Sequence, residues 1–79
     1  MSARVVMYSR ITCGLCDEAR EVLLAVRHRI PFAYQEVFVD GDEDLEDRYG
    51  LRVPVVEVDG DEAFEIAVDP ASLEALLTA

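Results

Sequence analysis

Thr12-Cys13-Gly14-Leu15-Cys16-Asp17 is the most informative segment of this chain. It follows a short apolar strand pattern and begins a helical one, and a C-x-x-C pair at such a junction is typical of redox-active dithiols. If Thr12 or its neighbour caps the helix, Cys13 lies at the positive end of the helix dipole, which favours a thiolate. We therefore predict that Cys13 is a nucleophile and that Cys16, one turn further on, is the resolving thiol.

The segments on either side of the cysteine pair predict a β-α-β unit. Residues 4–8 form a short β-branched strand, residues 15–30 repeat apolar side chains at the helical period, and residues 32–39 form a second strand. Pro31 ends the helix between them. The apolar face of this helix is predicted to comprise Leu15, Ala19, Val22, Leu23, Val26 and Ile30. A right-handed crossover makes the two strands parallel.

The acidic segment at residues 42–49 predicts a short second helix. Leu45 and Tyr49 are spaced to face inward, and Gly50 is the predicted C-terminal cap. A calcium-binding loop is the alternative for this acid run, but the sequence lacks the central Gly and the terminal Glu of such a loop. A solvated helix face is the better explanation.

The last part of the chain predicts a hairpin and a third helix. Residues 53–58 and 61–66 alternate around Asp59-Gly60, the signal of a two-residue turn. Asp69 is the predicted N-cap of the last helix, and Pro70 takes its first position. The apolar face of this helix is predicted to comprise Leu73, Leu76 and Leu77. The complete order is β-α-β-α-β-β-α, an α/β fold with one four-stranded mixed sheet and helices on both faces.

Length, composition and charge limit the classes of function. The 79 residues predict a single domain spanning residues 1–79, and an apolar fraction of 52% argues against disorder. The net charge is −10: residues 1–30 carry five arginines against three acids, and residues 31–79 carry two against fourteen. Such an acidic surface makes nucleic acid and anionic membranes poor partners. We expect a monomer.

The location that the sequence favours is the cytosol. Residues 1–4 lead directly into a strand pattern rather than a leader segment, and no apolar run is long enough to span a bilayer. In that compartment a C-x-x-C pair is more typical of catalysis, regulation or metal binding than of a permanent crosslink. The two cysteines and the distant His28 cannot fill a tetrahedral metal site, so we predict no metal.

The chain resembles the thioredoxin fold in its short glutaredoxin form. The resemblance rests on the element order, on Cys13-Gly14-Leu15-Cys16 after the first strand, and on Val53-Pro54 before the third. Residues 13–19 also match the Cys-x-Leu-Cys-Asp-Glu-Ala motif of small glutaredoxin-like proteins. The resemblance implies a cis bond before Pro54 and a Val53 backbone that pairs with an incoming disulfide substrate.

The resemblance also names glutathione as a candidate reductant. It implies that Arg10 lies near the Cys13 thiolate and that Asp69 receives the amino group of glutathione. The alternative for Arg10 is a solvated residue at the end of the first strand. Two departures from the family pattern concern this use. Arg10 stands where a Lys is usual, and Ile66-Ala67-Val68 stands where two glycines are usual.

Three functional interpretations follow. The leading one is a cytosolic thiol–disulfide oxidoreductase without a tightly bound cofactor, which acts on protein or low-molecular-weight disulfides and is re-reduced by glutathione or a flavin disulfide reductase. The second is a thioredoxin-fold binding module or redox sensor without turnover. The third is an iron–sulfur cluster held between two copies of the chain by their Cys13 thiolates and external thiols.

Overall fold

The computed structural model describes residues 3–79, which contain four strands and three helices. In chain order these are β1 Arg4–Ser9, α1 Gly14–Arg29, β2 Ala33–Phe38, α2 Glu43–Tyr49, β3 Val55–Val58, β4 Asp61–Glu65 and α3 Pro70–Thr78. The strands lie side by side in the order β2-β1-β3-β4. Strand β1 is parallel to β2 and antiparallel to β3, and β3 is antiparallel to β4. The predicted α/β fold and element order are thereby confirmed.

Both faces of the sheet are covered by helices, as predicted. Successive strand residues point to opposite faces, so β1 contributes Val5 and Met7 to a core shared with α1 and α3, and Tyr8 to a smaller core beneath α2. The larger core comprises Val5, Met7, Ala19, Leu23, Val26, Phe32, Val56, Val58, Val68 and Leu73. The smaller core comprises Val39, Tyr49 and Val55.

Two leucines predicted to face inward lie at the surface. Leu15 is 46% exposed and Leu76 is 48% exposed, so their assignment to the apolar faces of α1 and α3 is wrong. Leu15 occupies the first turn of α1, where it faces the loop after β4 rather than the sheet. Helix α3 packs through Leu73 and, at the margin of the core, Leu77, which leaves Leu76 outside it.

The hairpin turn has the two-residue form that Asp59-Gly60 predicts. The φ angle is 52° at Asp59 and 89° at Gly60, and positive φ at both central residues matches the twist of the flanking strands. The Asp59 carboxylate also accepts a hydrogen bond from the Arg4 backbone N–H at 2.9 Å. This bond fastens the turn to the start of β1.

Gly50 is the C-cap of α2, as predicted, but it does not adopt a left-handed backbone. Its φ is −54°, so the reason for glycine is space. A Cβ at this position would lie 2.5 Å from the Glu46 carbonyl oxygen and 2.6 Å from the Arg10 guanidinium. The glycine therefore permits the close approach of Arg10, which reaches α2 from the loop before Cys13.

Candidate active site

The loops at one end of the sheet form the candidate active site. Because β1 is parallel to β2 and antiparallel to β3, the ends of β1 and β2 and the start of β3 lie at the same end of the sheet. The end of β4 joins them, since Val55 pairs with both Tyr8 and Glu65. The segments that continue from this end carry all the site residues that the sequence predicts, namely Arg10, Cys13, Cys16, Val53, Pro54 and Asp69.

Cys13 and Cys16 are joined by a disulfide bond, with their Cα atoms 5.2 Å apart. Cys13 is the N-cap of α1, and its Sγ accepts a hydrogen bond from the Cys16 backbone N–H at 3.1 Å. The cap is therefore the neighbour of Thr12. Cys13 is partly exposed, whereas Cys16 is 0% exposed. An external disulfide can approach the sulfur of Cys13 but not that of Cys16.

The surroundings of the Cys13 sulfur favour a negative charge. The sulfur lies at the N-terminus of a helix of 16 residues, where unpaired backbone N–H groups and the helix dipole stabilise an anion. Asp17 would oppose this charge if it faced the sulfur, but its carboxylate is 68% exposed and pairs with Arg20 at 2.8 Å. The preference of the thiolate for Cys13 over the buried Cys16 in the reduced protein stays a prediction.

Two side chains fasten the loop in front of Cys13. The Ile11 backbone N–H donates to Asp40 Oδ1 at 2.9 Å, which links the loop to the end of β2. The Arg10 guanidinium donates to a carbonyl oxygen at the C-terminus of α2 at 3.2 Å and pairs with Glu46 at 3.0 Å. The charge of Arg10 is thus shared with α2, and its influence on the Cys13 thiolate stays a prediction. The sequence analysis did not identify Asp40. The one feature of the sequence that could have indicated its role is the position of a carboxylate directly after a predicted strand.

The Val53-Pro54 segment leads into β3. Its peptide bond is cis, Pro54 is buried and Val53 is half-buried. The Pro54 carbonyl oxygen accepts a hydrogen bond from the Ile66 backbone N–H at 2.8 Å. This bond fastens the loop after β4 to the loop before β3, at the end of the sheet where Cys13 lies. The pairing of the Val53 backbone with a substrate stays a prediction.

Asp69 is the N-cap of α3, as predicted. Its Oδ2 accepts hydrogen bonds from the Ser72 backbone N–H at 2.8 Å and from the Ser72 hydroxyl at 2.7 Å. The bonds from the Ser72 hydroxyl and N–H lower the pKa of Asp69 below its ordinary value. The exposed carboxylate is therefore ionised at neutral pH, and its role toward an amino group stays a prediction.

A groove runs between the first turns of α1 and the loop that follows β4. It encloses about 230 Å³ and we call it the aliphatic groove; its lining residues are Leu15, Glu18, Ala19, Val22, Ile66, Ala67 and Val68. At its rim Ile66 has a φ of 73°, and the Ala67 N–H donates to the Glu65 carbonyl oxygen at 2.8 Å, which makes a three-residue turn. A β-branched residue at positive φ is a rare outlier. Sequence reasoning missed this turn because no local pattern predicts it at an isoleucine.

A partly buried ionic cluster lies on the α1 face of the sheet, one helical turn after Cys16. Arg20 binds the Glu36 carboxylate with two N–H groups, at 2.8 Å and 2.5 Å, and the buried Ser9 hydroxyl donates to the same carboxylate at 2.6 Å. The hydrogen bonds from Arg20, followed by that from Ser9, lower the pKa of Glu36. Burial, together with the charge of Glu36, raises the pKa of Tyr34 to about 12. The cluster fastens α1 to β2, and sequence reasoning did not identify it.

The described part of the chain offers neither a grouped metal site nor a membrane span. Within residues 3–79, no three His, Cys, Asp or Glu side chains lie close enough together to hold a metal ion. His28 is exposed in the last turn of α1, at the opposite end of that helix from Cys13. No helix in the same range has the length and apolar content needed to cross a membrane.

Comparisons with known proteins connect the chain to one family and one fold. The model of the family described as "Glutaredoxin-like domain (DUF836)" matches residues 4–78. The X-ray structure of the structural genomics target protein XcR50 from X. campestris is 40% identical, with a TM-score of 0.78 over 94% of this chain and 95% of that chain. The solution NMR structure of protein Ne2328 from Nitrosomonas europaea is 28% identical, with a TM-score of 0.85 over 98% of this chain and 93% of that chain.

A more distant structure supports the same fold. A single-residue mutant of thioredoxin from Halobacterium salinarum is 25% identical, with a TM-score of 0.65 over 96% of this chain and 72% of that chain. The comparison with curated proteins found no match. The thioredoxin-like fold with a C-x-x-C pair, predicted from the resemblance, is thereby confirmed.

Proposed function

This chain belongs to the family of glutaredoxin-like domains, and we propose that it acts as a thiol–disulfide oxidoreductase. One observation carries the proposal: a partly exposed Cys13 at the N-terminus of α1 is bonded to a fully buried Cys16. An outer sulfur that meets the substrate and an inner sulfur that closes the disulfide are the two parts that such a cycle needs. In the proposed cycle, the Cys13–Cys16 disulfide is the oxidised state of the protein.

Reduction of a substrate converts the two thiols of the protein into one disulfide. The Cys13 thiolate attacks one sulfur of the substrate disulfide, that S–S bond breaks, and the other substrate sulfur leaves as a thiolate that takes a proton from water. The Cys16 thiol then loses its proton and attacks the Cys13 sulfur of the mixed disulfide, which releases the second substrate thiolate. Two electrons pass to the substrate, and the Cys13–Cys16 disulfide forms.

The direct test follows a single turnover. Pre-reduced protein is mixed with bis(2-hydroxyethyl) disulfide, the reaction is quenched with acid, and the mass of the protein is measured by mass spectrometry. The wild-type protein is expected to form the internal disulfide, Cys16→Ser to accumulate a mixed disulfide at Cys13, and Cys13→Ser to stay reduced. Oxidation of the wild-type protein no faster than that of a simple cysteine peptide would contradict the proposal.

Proteins or low-molecular-weight compounds with disulfides are the proposed substrates, and the cytosol is the proposed location. Glutathione or a flavin disulfide reductase would restore the dithiol, since the cytosol keeps such pairs reduced. Turnover with each reductant, followed through NADPH consumption in a coupled assay, separates the two routes. A protein that is oxidised once and re-reduced by neither would be a redox sensor, and a coloured protein after anaerobic purification would indicate an iron–sulfur cluster. The first result would contradict turnover, and the second would favour the iron–sulfur interpretation.

The involvement of Asp69 in glutathione use has its own variant. Asp69→Asn keeps an N-cap residue for α3 but removes the charge that would attract an amino group. We expect this variant to be re-reduced more slowly than the wild-type protein by glutathione, and equally fast by dithiothreitol, which has no amino group. Equal rates with both thiols would leave Asp69 with its capping role alone.

A further inference from the structure

The aliphatic groove beside Cys13 has features that the thiol chemistry does not require. We propose that this groove selects protein disulfides in which an aliphatic and a basic residue adjoin the attacked cysteine. This proposal rests on the proposed function. It thereby favours such protein disulfides over the disulfide of glutathione.

The walls of the groove are aliphatic side chains that the fold leaves uncovered. Leu15 is 46% exposed and Ile66 is 43% exposed. The volume of about 230 Å³ is smaller than the about 300–1,000 Å³ of sites that enclose a whole small ligand. The groove suits a single aliphatic side chain of a larger partner, and burial of that side chain stabilises the complex.

The backbone at the rim of the groove is strained. Ile66 has a φ of 73°, a conformation that is unfavourable for a residue other than glycine. Core packing does not account for this cost, because the side chain stays half-exposed. The result of the strained turn is an isoleucine held at the edge of the groove, where a bound chain would cover it.

The charges around the groove favour a basic partner. Glu18 is the one charged residue among the described residues that line it, and no ion pair within residues 3–79 includes Glu18. Two arginines at this end of the sheet, Arg10 and Arg52, are each paired with carboxylates. Glutathione carries two carboxylates and one amino group, so its net charge is repelled by the acidic protein, whereas a lysine or arginine side chain is attracted to Glu18.

The groove begins at Leu15, in the first turn of the helix that Cys13 caps. Leu15 follows Cys13 by two residues, and the Ile66 N–H is bonded to the Pro54 carbonyl oxygen at 2.8 Å. A substrate chain whose cysteine reaches Cys13 therefore brings the residues beside that cysteine over the groove. This placement connects substrate selection with the chemical step.

The test compares the rates at which disulfide peptides oxidise the pre-reduced protein. Each peptide carries one cysteine as a disulfide with 2-mercaptoethanol, and its two flanking residues are leucine and lysine, alanine and lysine, leucine and glutamate, or alanine and glutamate. Glutathione disulfide and bis(2-hydroxyethyl) disulfide are the reference substrates. The rate of each disulfide with the protein is divided by the rate at which dithiothreitol reduces the same disulfide, which corrects for the intrinsic reactivity of that disulfide. The leucine–lysine peptide is expected to react about tenfold faster than the alanine–glutamate peptide and glutathione disulfide, corresponding to about 1.4 kcal/mol.

Surface variants locate the preference in the groove. Leu15→Asn is expected to react about threefold more slowly than the wild-type protein with the leucine peptides. Leu24→Asn, at a leucine that is 45% exposed on the same helix but outside the groove, is expected to react at the wild-type rate. Glu18→Gln is expected to react about threefold more slowly than the wild-type protein with the lysine peptides at low salt, and at nearly the same rate at high salt. Glu21→Gln is its matched control.

The outcomes separate the groove from the chemistry. Equal relative rates for all peptides, or a faster reaction with glutathione disulfide, would overturn the selection proposal and leave the oxidoreductase intact. Loss of the leucine preference in Leu24→Asn as well as in Leu15→Asn would also overturn it. If no disulfide oxidises the protein, including bis(2-hydroxyethyl) disulfide, the proposed function fails and the selection proposal fails with it.

Discussion

Replacement of Ile66 by glycine and by alanine tests whether the rim of the aliphatic groove is strained. Both variants remove the same contacts of the isoleucine side chain and differ in how they tolerate a φ of 73°. At an ordinary negative φ, glycine is less stable than alanine by about 0.5–1 kcal/mol. A strained conformation with positive φ, such as this three-residue turn, costs a residue with a Cβ about 1–3 kcal/mol. At position 66 the order therefore reverses, and Ile66→Gly is expected to be more stable than Ile66→Ala by about 1 kcal/mol.

Thermal unfolding of the oxidised variants, followed by far-ultraviolet circular dichroism, measures this reversal. A difference of about 1 kcal/mol corresponds to about 4–8 °C in Tm for a domain of this size. Ala25→Gly is the control, because Ala25 lies inside α1, away from its terminal residues, and glycine there is expected to cost about 1 kcal/mol. If Ile66→Gly unfolds at a lower temperature than Ile66→Ala, the turn is not strained and the reason to assign Ile66 a function disappears.

Three further predictions concern contacts that support the site. Glu36→Gln is expected to lower the free energy of unfolding by about 1–3 kcal/mol at pH 7. Because folding lowers the pKa of Glu36, the difference in stability between the wild-type protein and the variant is fully present above the unfolded pKa of about 4.3. It shrinks as the pH falls through the folded pKa. Urea titrations that give a constant difference down to pH 3 would contradict this prediction. Gly50→Ala is expected to lower the free energy of unfolding by about 1–3 kcal/mol in the same titration, because the new Cβ would lie 2.5 Å from the Glu46 carbonyl oxygen. An unchanged urea midpoint would show that α2 moves to accommodate the Cβ without cost. Asp40→Ala is expected to speed hydrogen exchange of the Ile11 backbone N–H, whereas Asp40→Asn keeps an acceptor and is expected to change that exchange little. Equal exchange rates in the two variants would contradict the hydrogen bond between Ile11 and Asp40.

The elements of this fold are predictable because their signals are local. Pro31 ends α1, Pro70 begins α3 and Asp59-Gly60 forms the hairpin turn, and each acts through the backbone within a few residues. The cysteine pair at the start of α1 is equally local. From such signals the sequence predicts the element order and, through the crossover rule, the parallel pairing of β1 with β2.

The orientation of particular side chains depends on distant parts of the chain. Leu15 continues the apolar period of α1, but it lies outside the core because the first turn of the helix faces the loop after β4. Arg20 and Glu36 are 16 residues apart and meet because the crossover packs α1 on the sheet. Ile66 contradicts the conformational preference of its residue type, so no propensity predicts its positive φ.

The assignment of Cys13 as the attacking thiol is the central claim, and the pH dependence of alkylation tests it most directly. The reduced protein is treated with iodoacetamide over a range of pH, and the labelling of each cysteine is read by peptide mass spectrometry. We predict that Cys13 reacts with a midpoint well below the value of about 8.5 for a free cysteine, and that Cys16 stays protected. Two cysteines that react at similar rates, both with midpoints near that value, would contradict it.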